Sequence, residues 1–213
     1  MAAEPVTHLL YLHGFRSSPQ SSKARVMAAW VHEHRPDLTW WCPQLPPSPA
    51  EAMRMLFDGI ARWPTAQTGV VGSSLGGFYA TAVAERLGCR AVLLNPAIAP
   101  ARDLAKYIGE STAWHSDEKF FFRREFIDEL RSIAPGELTR LERYFAVIAK
   151  GDEVLDWREM SARYKGCRMK LLEGSDHALT GFEEDHLPDV LAFLGLTVTS
   201  GRWSRSPGPR PRR

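Results

Sequence analysis

Short apolar runs rich in β-branched residues alternate with longer amphipathic stretches along most of this 213-residue chain. Such alternation is typical of parallel strands joined by crossover helices, and it predicts one α/β domain with a mostly parallel sheet flanked by helices. The predicted strands are Thr7–Leu12, Leu38–Cys42, Thr68–Gly72, Ala91–Leu94, Tyr144–Ala149 and Met169–Leu172. The predicted helices are Ser22–His34, Ala50–Arg62, Leu75–Leu87, Trp157–Tyr164 and Glu184–Leu194.

The alternation is interrupted between residues 96 and 143, where the pattern predicts no strand. Within this segment, "SDEKFFFRREFIDELRSIA" has the spacing of an amphipathic helix, and Ser116 is its candidate N-cap. The apolar face of that helix would consist of Phe120, Phe121, Phe122, Phe126, Ile127, Leu130 and Ile133. We therefore predict a helical lid insertion above the carboxyl ends of the strands, where such sheets bind ligands. Its phenylalanines either line an acyl pocket or only pack the lid onto the sheet.

Composition and charge exclude several classes of protein for the body of the chain. Apolar residues make up 44% and charged residues 24%, and no apolar run is long enough to span a membrane. The N-terminus lacks the basic start of a secretory signal, which favours a cytoplasmic location. Three widely spaced cysteines without a C-x-x-C motif favour reduced thiols.

The last residues differ in composition from the rest of the chain. "GRWSRSPGPRPRR" carries five arginines and no acid, so removing it changes the net charge from +2 to −3. We expect residues 1–196 to form the domain and 197–213 to be a disordered basic tail. The tail could contact nucleic acid, but the slightly acidic body makes nucleic acid an unexpected partner for the domain.

The stretch "VVGSSLGGFYA" contains one match to G-x-S-x-G, running from Gly72 to Gly76, and its serine is Ser74. In that pattern a nucleophile lies on a tight turn between a strand and a helix, and the predicted elements on both sides supply this context. The alternative is a turn in which Ser73 or Ser74 only caps the following helix.

A serine nucleophile needs a base, and His177 is the candidate. It lies in the short loop "EGSDHALTG" between the last predicted strand and the final helix. His115, in the insertion, is the least excluded rival. The other histidines lie within or at predicted elements or next to the first strand, and these are His8, His13, His32, His34 and His186.

The acid that orients the base should follow the preceding strand. Asp152 lies at the first turn after Tyr144–Ala149 and is the favoured candidate, while Glu153 and Asp156 remain alternatives. Asp156 is equally suited to cap the next helix. Asp176 adjoins His177, but neighbouring loop side chains generally diverge.

Acyl transfer also requires donors for the developing oxyanion. The backbone N–H of Leu75 is one candidate, and that of Phe15, in the loop "YLHGFRSSP" after the first strand, is the other. Gly14 would allow close approach there, and His13 would support the loop rather than act as a base. Arg16 is a candidate contact for an anionic substrate group or a solvated side chain.

Together these residues resemble the α/β-hydrolase superfamily and, more narrowly, the YqiA-like esterases. The segments that carry the resemblance are "YLHGFRSSPQSSKA", "VGSSLGGFYA", "LLNPA", "KGDEVLDWREM" and "GSDHAL". The resemblance implies a reduced α/β-hydrolase fold with a six-stranded sheet, in the order second, first, third, fourth, fifth, sixth. It supports Ser74 as nucleophile, Asp152 as acid and His177 as base. It also implies that Ser17, Ser18 and Lys23 are family features.

The sequence therefore predicts a serine hydrolase that cleaves carboxylic ester or acyl thioester bonds through an acyl-enzyme, with a small-molecule acyl substrate. No metal or organic cofactor is expected. Hydrolysis of lactone, amide or carbon–carbon bonds by the same triad remains an alternative, because bond choice depends on pocket shape. A non-catalytic binding protein with the hydrolase fold is the other alternative.

Overall fold

The computed structural model describes residues 5–112 and 119–196. Its strands are β1 His8–Leu12, β2 Thr39–Trp41, β3 Thr68–Ser73, β4 Arg90–Leu94, β5 Gly109–Thr112, β6 Lys119–Phe122, β7 Tyr144–Ala149 and β8 Arg168–Leu172. Its α-helices are α1 Ser22–His34, α2 Pro49–Ile60, α3 Leu75–Leu87, α4 Pro100–Asp103, α5 Glu125–Ser132, α6 Trp157–Arg163, α7 Phe182–Asp185 and α8 Leu187–Leu194. The predicted elements outside the insertion are confirmed to within about two residues at most ends.

The main sheet has six strands in the order β2-β1-β3-β4-β7-β8, and every neighbouring pair is parallel. The predicted strand order is confirmed. Parallel strands bring all their carboxyl ends to one edge, so the loops after β1, β3, β4, β7 and β8 meet there. That edge carries the residues that the sequence singles out.

Both faces of the sheet are buried, as a parallel sheet requires. Alternate residues of each strand enter different clusters: Leu10 and Leu12 of β1 pack with α2 and α3, whereas Leu9 and Tyr11 pack with α1 and α8. Within the described ranges, no helix is long and apolar enough to cross a membrane.

The prediction of one helix at the C-terminus is wrong in detail, because two helices, α7 and α8, occupy that segment. Pro188 lies in the first turn of α8. Proline has no N–H and its ring clashes with the carbonyl four residues earlier, so a helix cannot run through it undisturbed. The chain breaks at His186, which precedes α8.

The prediction that the insertion contains no strand is also wrong. Lys119–Phe122 pairs antiparallel with Gly109–Thr112, and the helix predicted from Ser116 onward is confined, in the described residues, to Glu125–Ser132. Three consecutive phenylalanines cannot share one helix face, but a strand sends neighbouring side chains to opposite sides. Accordingly, Phe122 is 1% exposed and Phe121 is 61% exposed. The proposed N-cap, Ser116, lies outside the described residues, as do residues 197–213.

Candidate active site

Ser74 lies on a strained turn between β3 and α3. Its backbone has φ 55° and ψ −121°, a region that non-glycine residues rarely adopt and that costs about 1–3 kcal/mol. Three backbone bonds hold the turn: Ser74 N donates to the Leu94 carbonyl at 3.0 Å, and the Ser74 carbonyl accepts from Gly77 and Ala97 at 2.9 Å each. A strained strand–helix turn at this serine is what the G-x-S-x-G hypothesis predicts.

The glycines around Ser74 are required by close backbone approach. A Cβ on Gly72 would lie 2.1 Å from the Gly76 carbonyl oxygen, and a Cβ on Gly76 would lie 2.0 Å from the Leu12 carbonyl oxygen. Helix α3 therefore packs directly on β1 and β3, with no room for side chains between them. In the loop after β1, a Cβ on Gly14 would lie 3.2 Å from the Ser74 Cβ, so this loop lies against the serine.

Asp152 and His177 are joined by a hydrogen bond at the ends of β7 and β8. Nδ1 of His177 donates to Oδ2 of Asp152 at 2.7 Å. The Asp152 side chain is fully buried, whereas 22% of the His177 side chain is exposed. Because a carboxylate can only accept, the proton is on Nδ1, and Nε2 keeps the lone pair that a general base needs.

The other Asp152 oxygen is also engaged. Oδ1 accepts from the backbone N–H groups of Val154 and Leu155, each at 2.8 Å. Buried carboxylates are stable only when their oxygens are bonded in this way. The two backbone bonds fix the carboxylate plane, and so they fix the direction in which Oδ2 meets the imidazole.

The rival acids are used elsewhere. Asp156 caps α6 by accepting from Arg158 N at 2.8 Å, and Glu153 accepts from the backbone N–H of His177 at 3.0 Å. Asp176 accepts from the backbone N–H and hydroxyl of Thr180, and these bonds hold the pKa of Asp176 below its usual value. Of the four loop acids, only Asp152 bonds to the imidazole ring in the described residues.

The structure does not join Ser74 and His177 directly. No hydrogen bond links the Ser74 hydroxyl to the imidazole in the part of the chain that the structure describes. In hydrolases that bond is often long until a substrate is bound. The rival base His115 lies in the undescribed segment 113–118.

His13 holds the loop that follows β1. It is 3% exposed; Nδ1 donates to the Gly14 carbonyl at 3.0 Å, and Nε2 accepts from Leu45 N at 3.1 Å. Burial lowers the pKa of His13, which favours the neutral ring that these two bonds require. The loop carrying Phe15 N–H is thereby fixed against Ser74. Leu75 begins α3, so its N–H has no acceptor within the helix.

Asn95, which follows β4, links the loops of the candidate triad and had no role in the sequence analysis. Its Oδ1 accepts from Ala149 N at 2.8 Å, and its Nδ2 donates to the carbonyls of Asp176 and His177 at 3.0 and 3.2 Å. Asn95 is 1% exposed and has φ 43°. The available signal was an asparagine between a strand and a proline in "LLNPA", because asparagine tolerates positive φ.

A cavity of about 380 Å³ opens beside the turn that carries Ser74. Its lining combines the loop after β1, helix α3 and the insertion, and includes Phe15, Leu45, Met55, Tyr79, Leu104 and Phe122. Phe122 lines this cavity, and its ring packs edge-on against Phe15 at 5.2 Å between centroids. Phe126 is buried and Phe121 faces solvent.

Comparisons with known proteins agree with this architecture. The sequence model of an uncharacterised protein family, UPF0227, matches residues 8–195. Metagenome-derived lipolytic enzymes, LipS and LipT, provide a solved structure with TM-score 0.63 and 19% identity, covering 91% of this chain and 95% of that one. The structure of the mouse α/β-hydrolase domain-containing protein 10 matches with TM-score 0.61 and 14% identity, covering 91% of this chain and 87% of that one. The structure of Est1E of Butyrivibrio proteoclasticus with bound ferulic acid matches with TM-score 0.61 and 14% identity, covering 91% of this chain and 88% of that one. The predicted α/β-hydrolase fold is confirmed.

Proposed function

We propose that this chain, which belongs to the uncharacterised protein family UPF0227, is a serine hydrolase of acyl esters or thioesters. The observation that carries the proposal is the bond from His177 Nδ1 to the fully buried Asp152 carboxylate. It lies at the same edge of the sheet as the strained turn of Ser74. An orienting acid, a base with a free ring nitrogen and a nucleophile on an elbow are the three parts that acyl transfer needs.

The reaction would proceed through a covalent intermediate. His177 Nε2 takes the proton from Ser74 Oγ as that oxygen attacks the acyl carbonyl, and Asp152 stabilises the imidazolium that forms. The backbone N–H groups of Phe15 and Leu75 donate to the oxyanion of the tetrahedral intermediate. His177 then gives its proton to the leaving alcohol or thiol. Water attacks the acyl-enzyme with the same proton transfers and releases the acid.

The cavity supports an apolar acyl group as the part of the substrate that is bound. Its lining is mostly hydrocarbon, and it adjoins both candidate oxyanion donors, Phe15 and Leu75. An acyl chain entering this cavity would place its carbonyl next to Ser74. Leu104 and Phe122 of the insertion cover the cavity, and we assign the insertion the role of a lid.

The test is labelling with a serine-directed fluorophosphonate probe, combined with hydrolysis of p-nitrophenyl esters and acyl-CoA thioesters. The wild type is expected to be labelled and to turn over at least one substrate. Ser74→Ala should lose both the labelling and the hydrolysis and should remain folded. Ser73→Ala is the matched control, because it removes the neighbouring hydroxyl and should keep both.

Labelling that survives in Ser74→Ala, or a wild type that is neither labelled nor active, would end the proposal. Measuring hydrolysis of lactones and amides as well distinguishes an esterase from a hydrolase that cleaves other bonds with the same triad.

A further inference from the structure

The loop that carries His177 is held by side chains at three successive carbonyl oxygens. Asn95 Nδ2 donates to the carbonyls of Asp176 and His177. Lys23 Nζ donates to the next carbonyl, that of Ala178, at 2.6 Å across 155 residues of sequence. The backbone on both sides of the imidazole is therefore fixed from two different places in the fold, the residue after β4 and the first turn of α1.

Lys23 is poorly placed for the helix that contains it. It lies in the first turn of α1, and that turn contains no acidic residue. The positive end of the helix dipole disfavours a cation at this position. Lys23 is also partly buried, and burial lowers its pKa to about 8. Local structure therefore gives no reason for an ammonium group here, so the reason must come from what it contacts.

Its contacts all belong to the candidate active site. Asp176 and Asp152 are the acids whose charges act on Lys23, and Asp152 is the proposed triad acid. Asp176 is already bonded to Thr180, and within the described chain Lys23 forms no ion pair with either acid. The ammonium group thus donates directly to the His177 loop, and the charge of Asp152 acts on it without an ion pair.

We propose that Lys23 is a positioning residue of the triad, which fixes the Ala178 carbonyl and thereby the direction of the His177 imidazole. The inference rests on the proposed function. It also assigns a role to a residue that the sequence marks only through the segment "SSKA". A displacement of a catalytic group by about 1 Å can cost about a hundredfold in rate, so a single anchoring bond can have a measurable effect.

The charge of Lys23 has a separate consequence. A cation near Asp152 opposes the gain of a second positive charge on His177. The carboxylates around the ring favour that charge: Asp152 is bonded to the imidazole, Glu153 accepts from the His177 backbone N–H, and Asp176 is the preceding residue. Removing the Lys23 charge should therefore make His177 easier to protonate, which a purely structural role of Lys23 would not do.

The experiment compares Lys23→Met, Lys23→Gln and Lys23→Arg in the full chain. Lys170→Met is the matched control, because Lys170 Nζ donates to the Asp185 carbonyl at 2.7 Å and is not part of the candidate site. Readouts are kcat and KM for a p-nitrophenyl ester, the rate of fluorophosphonate labelling, the pH profile of kcat/KM, and thermal unfolding.

We expect Lys23→Met to lower kcat and the labelling rate by about tenfold or more with little change in KM. The acidic limb of its pH profile should move to higher pH. Lys23→Arg should recover most of the rate and the wild-type profile, whereas Lys23→Gln should move the profile like the methionine variant. Lys170→Met should resemble the wild type in every kinetic readout.

Unchanged rates and pH profile in Lys23→Met and Lys23→Gln would overturn the inference, and so would equal losses in Lys170→Met. If the methionine variant does not fold, the glutamine and arginine variants decide: the inference fails if the two have the same pH profile. A wild type without labelling at Ser74 would instead refute the proposed function itself.

Discussion

The carboxylate of Asp152 and the imidazole of His177 meet at 2.7 Å because β7 and β8 are neighbours in the sheet. Ala149 pairs with Leu172 at the ends of these strands, so the loops that follow start side by side. Twenty-five residues separate the two side chains in sequence. The parallel pairing, rather than local sequence, brings Asp152 to His177.

Asp152→Asn should lower kcat by about 10³–10⁴-fold, because an amide at this position no longer holds Nδ1–H of His177 or stabilises its charged form. Asparagine keeps an oxygen for the N–H groups of Val154 and Leu155, so the loop should stay folded. Steady-state kinetics on a p-nitrophenyl ester measure the effect.

Asp156→Asn provides the comparison in the same loop. Asp156 caps α6, and asparagine is also a good N-cap, so both activity and stability should stay near the wild type. A larger loss of kcat in Asp156→Asn than in Asp152→Asn would reverse the assignment of the triad acid.

Much of the fold could be predicted because each strand and each crossover helix has a local pattern. β7 and α3 have the predicted bounds, and the six-stranded order follows the winding implied by the family resemblance. The insertion could not be predicted in the same way. The pairing of Lys119–Phe122 with Gly109–Thr112 is a contact between two segments, and the helix-like spacing of its apolar residues concealed it.

The candidate triad residues could be found from motifs and loop positions, but the residues that hold them could not. Asn95 and Lys23 act on backbone carbonyls, and any sequence supplies those. The carbonyl partner of Lys23 is 155 residues away, so no local pattern links the two. Anchors of this kind become visible only when the loops are in place.

Gly14→Ala should lower kcat/KM by about tenfold or more and leave thermal unfolding close to the wild type. The added methyl group would lie 3.2 Å from Ser74 Cβ and 3.4 Å from the Ser73 carbonyl oxygen, so the loop after β1 must move by a few tenths of an ångström. Gly136→Ala is the control, because its Cβ would meet nothing within 4 Å. Equal turnover in the two variants would show that the loop after β1 does not take part in the reaction.

Met55→Trp should change which acyl chains are accepted. Met55 lines the cavity from α2, so a larger side chain there reduces its volume. We expect kcat/KM for p-nitrophenyl octanoate to fall at least about tenfold, while that for the acetate changes less than about threefold. Arg54→Trp places the same side chain on the exposed side of α2 and should not change the ratio of kcat/KM for the octanoate to kcat/KM for the acetate. If Met55→Trp leaves this ratio unchanged, the cavity does not bind the acyl chain.

The burial of Lys23 should make the stability of the folded protein depend on pH. Burial lowers the pKa of Lys23 from 10.5 to about 8, so between these values the unfolded chain holds a proton that the folded chain lacks. Stability therefore rises with pH across this window, and the cost of burying the charged form is fully present below about pH 8. Lys23→Met removes this titration. The wild type should therefore gain about 2 kcal/mol of stability over the variant as the pH rises from about 8 to 10.5, because only the wild type has this titration.

Urea denaturation of both proteins at three pH values across the window measures that difference. Lys170→Met serves again as the control, since it leaves Lys23 in place and should parallel the wild type from one pH to the next. A constant difference between Lys23→Met and the wild type would mean that the Lys23 ammonium is no more costly to hold in the folded protein than in water. We expect Lys23→Met to lower the rate and to raise stability at neutral pH. That combination would mean that the Lys23 cation near Asp152 contributes to the reaction and destabilises the folded protein.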